Sequence, residues 1–157
     1  MPVPAINADI PDPSLVDTGN GWLIFSTGYA NIGIYSSPDL HSWTHLPDAF
    51  ASFAPWISSD GRFWAPGVTR LDDRWLMYYT AHDRRSGLQC IGVATSANPQ
   101  GPYVDPSAKP LICQTTIGGS IDPDPFVDDD GSAYLLWKND GNCCGSPTQL
   151  WSQRLNG

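Results

Sequence analysis

Two aspartates stand out for the chemistry they could do: Asp12 in Ile10-Pro11-Asp12-Pro13-Ser14, and Asp122 in Ser120-Ile121-Asp122-Pro123-Asp124-Pro125. Each precedes a proline. Proline cannot donate to a sheet ladder, and it pushes the residue before it toward extended backbone. Asp124 precedes Pro125 in the same way, so the carboxylates of Asp122 and Asp124 are expected to be held at one strand entrance, and Asp12 belongs to another Asp-Pro pair that leads into a strand. A carboxylate held in this way can hold a water or exchange a proton with a substrate. Taken singly, either residue could equally be a turn or cap aspartate in front of a strand. Asp124 reads as a rim residue and Asp9 as a surface one. Asp128-Asp129-Asp130-Gly131 reads as a solvated hairpin loop, with Gly131 free to take a positive φ. No metal role is assigned. His41, His45 and His82 read as surface or loop residues, and Cys90, Cys113, Cys143 and Cys144 lack the paired C-x-x-C spacing of a zinc site.

The elements that must position these carboxylates are strands. Leu15-Val16, Trp22 to Ser26, Ile32 to Ser37 and the segment after Trp43 are short, apolar and bounded by Gly, Pro, Asp and Ser, which marks strands separated by turns. Leu46 to Gly61 reads as a loop whose Phe50, Phe53 and Trp56 pack locally. The pattern then restarts at Phe63-Trp64-Ala65-Pro66, continues through Arg74 to Thr80, and reaches Cys90 to Ser96. A third round opens at Ile121-Asp122-Pro123 and runs through Tyr134 to Trp137 to the last strand, Gln149 to Leu155. Pro13, Pro66 and Pro123 align, as do Ile32-Gly33 and Ile91-Gly92. The period is about 55 to 60 residues, the size of a four-stranded propeller blade with its loops. No stretch carries the spacing of an amphipathic helix. The fold expected is all-β: a β-propeller of four-stranded antiparallel blades, with blade 1 at about 9–50, blade 2 at about 62–105 and blade 3 at about 119–157. Phe25, Tyr78, Tyr79 and Trp137 are expected core residues. Three blades are too few to close a ring, so the propeller is expected to be incomplete, with open edges that invite self-association.

Composition bounds the function. The chain has 157 residues, 41% of them hydrophobic, with seven Trp, enough for one packed domain. The net charge of −8 and only eight Lys plus Arg exclude an electrostatic footprint for nucleic acid. No apolar run is long enough to span a membrane, and no signal peptide is visible. Four cysteines without a metal pattern suggest disulfides and an extracellular location. Three pairings are possible, and spacing does not choose among them.

Several of these pieces resemble glycoside hydrolase family 43. They are Pro11-Asp12-Pro13-Ser14, Trp64-Ala65-Pro66, Ile91-Gly92-Val93-Ala94-Thr95-Ser96, Gly101-Pro102-Tyr103, and Ile121-Asp122-Pro123 through Asp129-Asp130-Gly131-Ser132-Ala133-Tyr134-Leu135-Leu136-Trp137. They occur in the family's order over nearly the whole chain. The resemblance implies a five-bladed β-propeller, of which about three blades are present, and an inverting glycosidase acting on arabinose- or xylose-containing plant polysaccharides. It implies that Asp12 is the general base and that Asp122 tunes the pKa of the acid and orients it. Inverting enzymes hold base and acid roughly 6.5–9.5 Å apart to admit a water, and a further carboxylate raises the pKa of the acid by repulsion. Trp64, beside Pro66 at the axis end of its strand, and Asp124 are the candidate substrate-binding residues. The substrate expected is an oligo- or polysaccharide, with no nucleic-acid or membrane partner.

The chain also departs from the family. Its general acid is a glutamate of a later blade, yet all 16 acidic residues here are Asp. The histidine that helps hold a calcium or water at the family's axis also comes from a late blade. No cofactor is therefore expected in this chain, although a structural calcium is possible in the complete fold. Gly67 stands where the family often has Asp. A non-catalytic carbohydrate-binding or assembly module is the alternative. The related fructan- and sucrose-cleaving propellers fit Pro11-Asp12-Pro13-Ser14 less well.

Overall fold

The computed structural model describes residues 3–155 and is built from three antiparallel sheets, with two single turns of 3-10 helix as its only helical structure. Sheet 1 contains β1 (Ser14–Asp17), β2 (Trp22–Ser26), β3 (Gly33–Ser37) and β4 (Thr44–Leu46), in that order. Sheet 2 contains β5 (Trp64–Leu71), β6 (Arg74–His82) and β7 (Gln89–Ser96). Sheet 3 contains β8 (Ser120–Val127), β9 (Ala133–Asn139) and β10 (Leu150–Arg154). Within each sheet, neighbours in sequence are neighbours in space, joined by short turns. The opening strands of the three sheets pack in succession, β1 against β5 and β5 against β8. This is part of a β-propeller.

Only the first blade has four full strands. In sheet 2 the fourth place is reduced to isolated bridges to β7, Thr95 with Val104 and Ile91 with Ile112. Proline on both sides of Val104, at Pro102 and Pro106, withholds the N–H groups that a longer ladder would need. In sheet 3 the described residues supply three strands.

Sheet 2 is the middle layer and is buried on both faces. Successive side chains of a strand point to opposite faces. Met77 and Tyr79 of β6 accordingly join Phe25, Ile34, Phe63 and Tyr103 in the core between sheets 1 and 2. Tyr78, between them in sequence, turns the other way and packs with Ile91, Leu135 and Trp137 of the core facing sheet 3. The loop after β4 contributes more than local packing. Phe50 and Trp56 are buried in the main core, and Trp56 stacks on Tyr79 with ring centroids 6.1 Å apart. Their polar ends are satisfied by one buried carboxylate: Asp105 Oδ2 accepts from Tyr79 Oη at 2.7 Å and from Trp56 Nε1 at 3.2 Å. Burial, and then this carboxylate, push the Tyr79 phenol well above its ordinary pKa. The cysteines pair as Cys90–Cys113, which ties β7 to the segment before sheet 3, and as adjacent Cys143–Cys144.

Candidate active site

The three blades open in the same unusual way. Asp12, Ala65 and Asp122 each precede a proline, and each has a positive φ of 49°, 41° and 56°. This corrects the expectation of extended backbone at the two aspartates. In blades 2 and 3 register explains it. The β5–β6 ladder slips between Trp64 and Gly67, and the β8–β9 ladder slips between Ile121 and Asp124. A bulge takes the pre-proline residue and its proline out of the ladder, where the missing N–H costs nothing. It also turns the pre-proline side chain off the strand's regular alternation. Non-glycine residues in this region cost about 1–3 kcal/mol each, so the surrounding contacts must hold them.

Those contacts repeat between blades. Thr27, just beyond β2, accepts at Oγ1 from the N–H of Ala65 at 2.8 Å. Thr80, fully buried in β6, accepts at Oγ1 from the N–H of Asp122 at 3.2 Å. The threonines of the first two blades thus clasp the strained residues that open the second and the third. Thr27 also donates to Asp12 Oδ2 at 2.6 Å and thereby fixes that carboxylate.

Asp12 and Asp122, from sheets 1 and 3, line a single depression of about 210 Å3, together with Ser14, Ala65, Gly67 and Asp124. The expected Asp12, Asp122 and Asp124 are therefore brought together. Trp64 is not among the residues lining this depression; the bulge presents Ala65 there instead. Gly67 has a steric reason. A Cβ at this position would lie 2.5 Å from both Pro123 O and Pro125 Cδ, so blade 3 crosses directly over it. A larger depression of about 690 Å3 lies at the β1–β2 turn, between Trp22 and Trp75, and brings no second carboxylate to its Asp73.

The residue that sequence reasoning passed over is Lys138 in β9. Its Nζ lies 2.7 Å from Asp122 Oδ2, with the lysine side chain 35% and the aspartate side chain 42% exposed. The bond to Asp122 raises the lysine pKa. Burial opposes this, and the negative fields of Asp122, Asp140 and Asp12 reinforce it. The missed signal was the blade period, since Lys138 pairs with Ile121 as Thr80 pairs with Trp64.

A second polar cluster joins Ser58, Asp60, Arg62 and His82. Ser58 Oγ donates to Asp60 Oδ1, His82 Nδ1 lies 2.9 Å from the same oxygen, and Arg62 Nε lies 2.8 Å from Oδ2. This is not a nucleophile relay. Serine and aspartate both contact Nδ1, whereas a relay needs one on each ring nitrogen. The cluster pins the loop before β5 to the end of β6.

Calcium takes six to eight oxygen ligands. Among the described residues, the one group of His, Cys and Asp side chains close enough to share an ion is Asp83, Cys90 and Cys113, whose sulfurs are joined to each other. That set does not suit calcium.

The sequence profile of the glycosyl hydrolases family 43 matches residues 1–157. The chain belongs to that family. Among curated relatives of this family 43 chain, xylosidase/arabinosidase 43A of Humicola insolens is 36% identical over 107 residues, covering 66% of the chain and 30% of the relative. The extracellular exo-α-(1->5)-L-arabinofuranosidase ArbA of Cellvibrio japonicus is 29% identical over 142 residues, covering 83% and 41%. A thermostable family-43 glycoside hydrolase of known structure superposes with a TM-score of 0.79 at 26% identity, covering 94% of this chain and 48% of that one. The endo-arabinase of Bacteroides thetaiotaomicron shares the fold with a TM-score of 0.80 at 21% identity, covering 98% and 53%. The family 43 chain thus spans 30% and 41% of these two curated relatives and about half of these two solved structures.

Proposed function

We propose that this chain carries the base side of an inverting glycoside hydrolase acting on arabinose- or xylose-containing plant cell-wall polysaccharides. One observation carries the proposal: two carboxylates from non-adjacent sheets, Asp12 and Asp122, line one solvent-open depression. Asp12 is the base that draws a proton from the attacking water, its carboxylate oriented by Thr27. Asp122 tunes and orients the proton donor. Asp124, at the same rim, contacts substrate. The relatives named as xylosidase/arabinosidase and arabinofuranosidase support the substrate class.

The proton donor comes from outside this chain. No glutamate is present among its 157 residues, and general acid–base assistance is worth about 10²–10⁴-fold. The isolated chain is therefore expected to show little or no hydrolysis. Secretion fits the relatives named as extracellular and the two disulfides.

The test uses the full-length polypeptide in which this chain occurs, with paired aryl arabinofuranosides and xylosides and with arabinan. Asp12→Asn and Asp122→Asn should each lower kcat by about 10²-fold or more, with the fold retained by circular dichroism. NMR of the first-formed sugar should show inversion at the anomeric carbon. Wild-type rates in both variants would overturn the assignment, and so would robust turnover by the 157-residue chain alone. Sugar binding without turnover in the full-length protein would favour the non-catalytic module.

A further inference from the structure

Each blade sets one residue against the residue that precedes the strained one: two lie within the second strand, paired with Trp64 and Ile121, and the third lies just beyond β2, where its N–H bonds Pro11 O. In that order the three are Thr80, Lys138 and Thr27. Thr27 hydrogen-bonds to the opening residue of its own blade, Asp12, and to that of the next blade, Ala65. Thr80 has no carboxylate to hold in its own blade, because Ala65 stands there, and only the clasp to the next blade remains. Lys138 does the reverse. It holds the carboxylate of its own blade, Asp122, at 2.7 Å. It cannot clasp a following N–H, because an ammonium has three donors and no acceptor. Lys138 has therefore exchanged a joint between blades for a cation paired with one of the carboxylates that line the depression.

We propose that Lys138 is the positioning residue of Asp122: its ammonium fixes the direction of that carboxylate and sets a positive charge beside it. The inference rests on the reading of the site given above. Asp122 lies at a strained backbone position, and its side chain is 42% exposed. Thr80 holds only its N–H, so nothing but Lys138 bonds its carboxylate oxygens among the described residues. The field of Asp12 also reaches Lys138, so the ammonium lowers the repulsion between the two carboxylates that the depression brings together. Lys138 does not itself exchange a proton in the reaction. Its remaining N–H groups stay free for solvent or a sugar hydroxyl.

The experiment uses the full-length polypeptide and four variants: Lys138→Met, Lys138→Gln, Lys138→Arg and Asp122→Asn. Methionine and glutamine keep much of the length of the stem without the charge, and near-UV circular dichroism reports whether each variant folds. The expected result is a fall in kcat of about 10- to 100-fold for Lys138→Met and Lys138→Gln, as small displacements of reacting groups produce, with KM changed less than threefold. The acidic limb of the kcat/KM profile should move to higher pH, because a positive charge beside the site's carboxyl groups is gone. Lys138→Arg should restore most of kcat and the position of that limb. If wild type is active and Asp122→Asn is impaired, but Lys138→Met and Lys138→Gln keep kcat and the pH profile within twofold, the role of Lys138 is wrong and the site stands. If wild type hydrolyses none of the substrates, or Asp122→Asn keeps its rate, the reading of the site itself has failed.

Discussion

At the scale of single residues, hydrogen bonds set the charge states that matter. Asp60 accepts from Ser58 and His82 and pairs with Arg62, and these contacts, the Ser58 bond foremost, lower its pKa to about 2. The sign follows directly. A carboxylate with a folded pKa below its unfolded value adds stability above the unfolded value, about 3.9, and loses it as the pH falls through the folded one. The lock between the loop before β5 and β6 should therefore hold at pH 5 and loosen between about pH 4 and 2. The protection factors of the amides of Gly61 and His82, which bond Ser58 O and Gly61 O, should fall over that window. In Asp60→Asn this acid dependence should be absent. Unchanged protection of those amides from pH 5 to 2 would count against the assignment.

At the scale of elements, what sets the carboxylates in place is the bulged opening strand together with the threonine of the blade before it. Thr80→Val removes the hydroxyl with little change of shape and leaves the Asp122 N–H without its acceptor. A buried donor left unpaired costs about 1–3 kcal/mol, and the urea midpoint should fall accordingly. Because that N–H anchors a strained residue, hydrolysis by the full-length protein should fall as well. A variant as stable and as active as wild type would show that the clasp is incidental. Gly67 belongs to the same junction. With Pro123 and Pro125 crossing over it, only a residue without a Cβ lets β5 and β8 approach so closely.

At the scale of the whole molecule, sheet 2 is covered on both faces and sheets 1 and 3 on one. Sheet 3 leaves Phe126 50%, Val127 43%, Leu150 76% and Trp151 36% exposed, and every residue of β10 is exposed. Exposed apolar side chains and an unpaired strand edge favour association. The 157-residue chain should therefore self-associate with rising concentration in sedimentation experiments, and Leu150→Lys should weaken that association. A monomer throughout the micromolar range would contradict this.

Much of this architecture is legible in one sequence because its causes are local. Alternating apolar residues, Asp-Gly and Pro punctuation, and the recurrence of Pro13, Pro66 and Pro123 give strands, turns and a blade period from neighbours along the chain. The same period brings Asp12 and Asp122 to one axis. Other features depend on register and on how separate sheets stack, which no local pattern encodes. The ladder slips give Ala65 and Asp122 a positive φ and put Ala65, in place of Trp64, at the depression. Cys90 pairs with Cys113, leaving Cys143 to its neighbour. Lys138 reads as an ordinary strand lysine until β8 and β9 are paired; only then does its ammonium meet Asp122. The sequence by itself determined which side chains are present and the period that gathers them. The tertiary structure decided which atoms touch, because a one-residue bulge changes where a side chain points without changing its place in the chain.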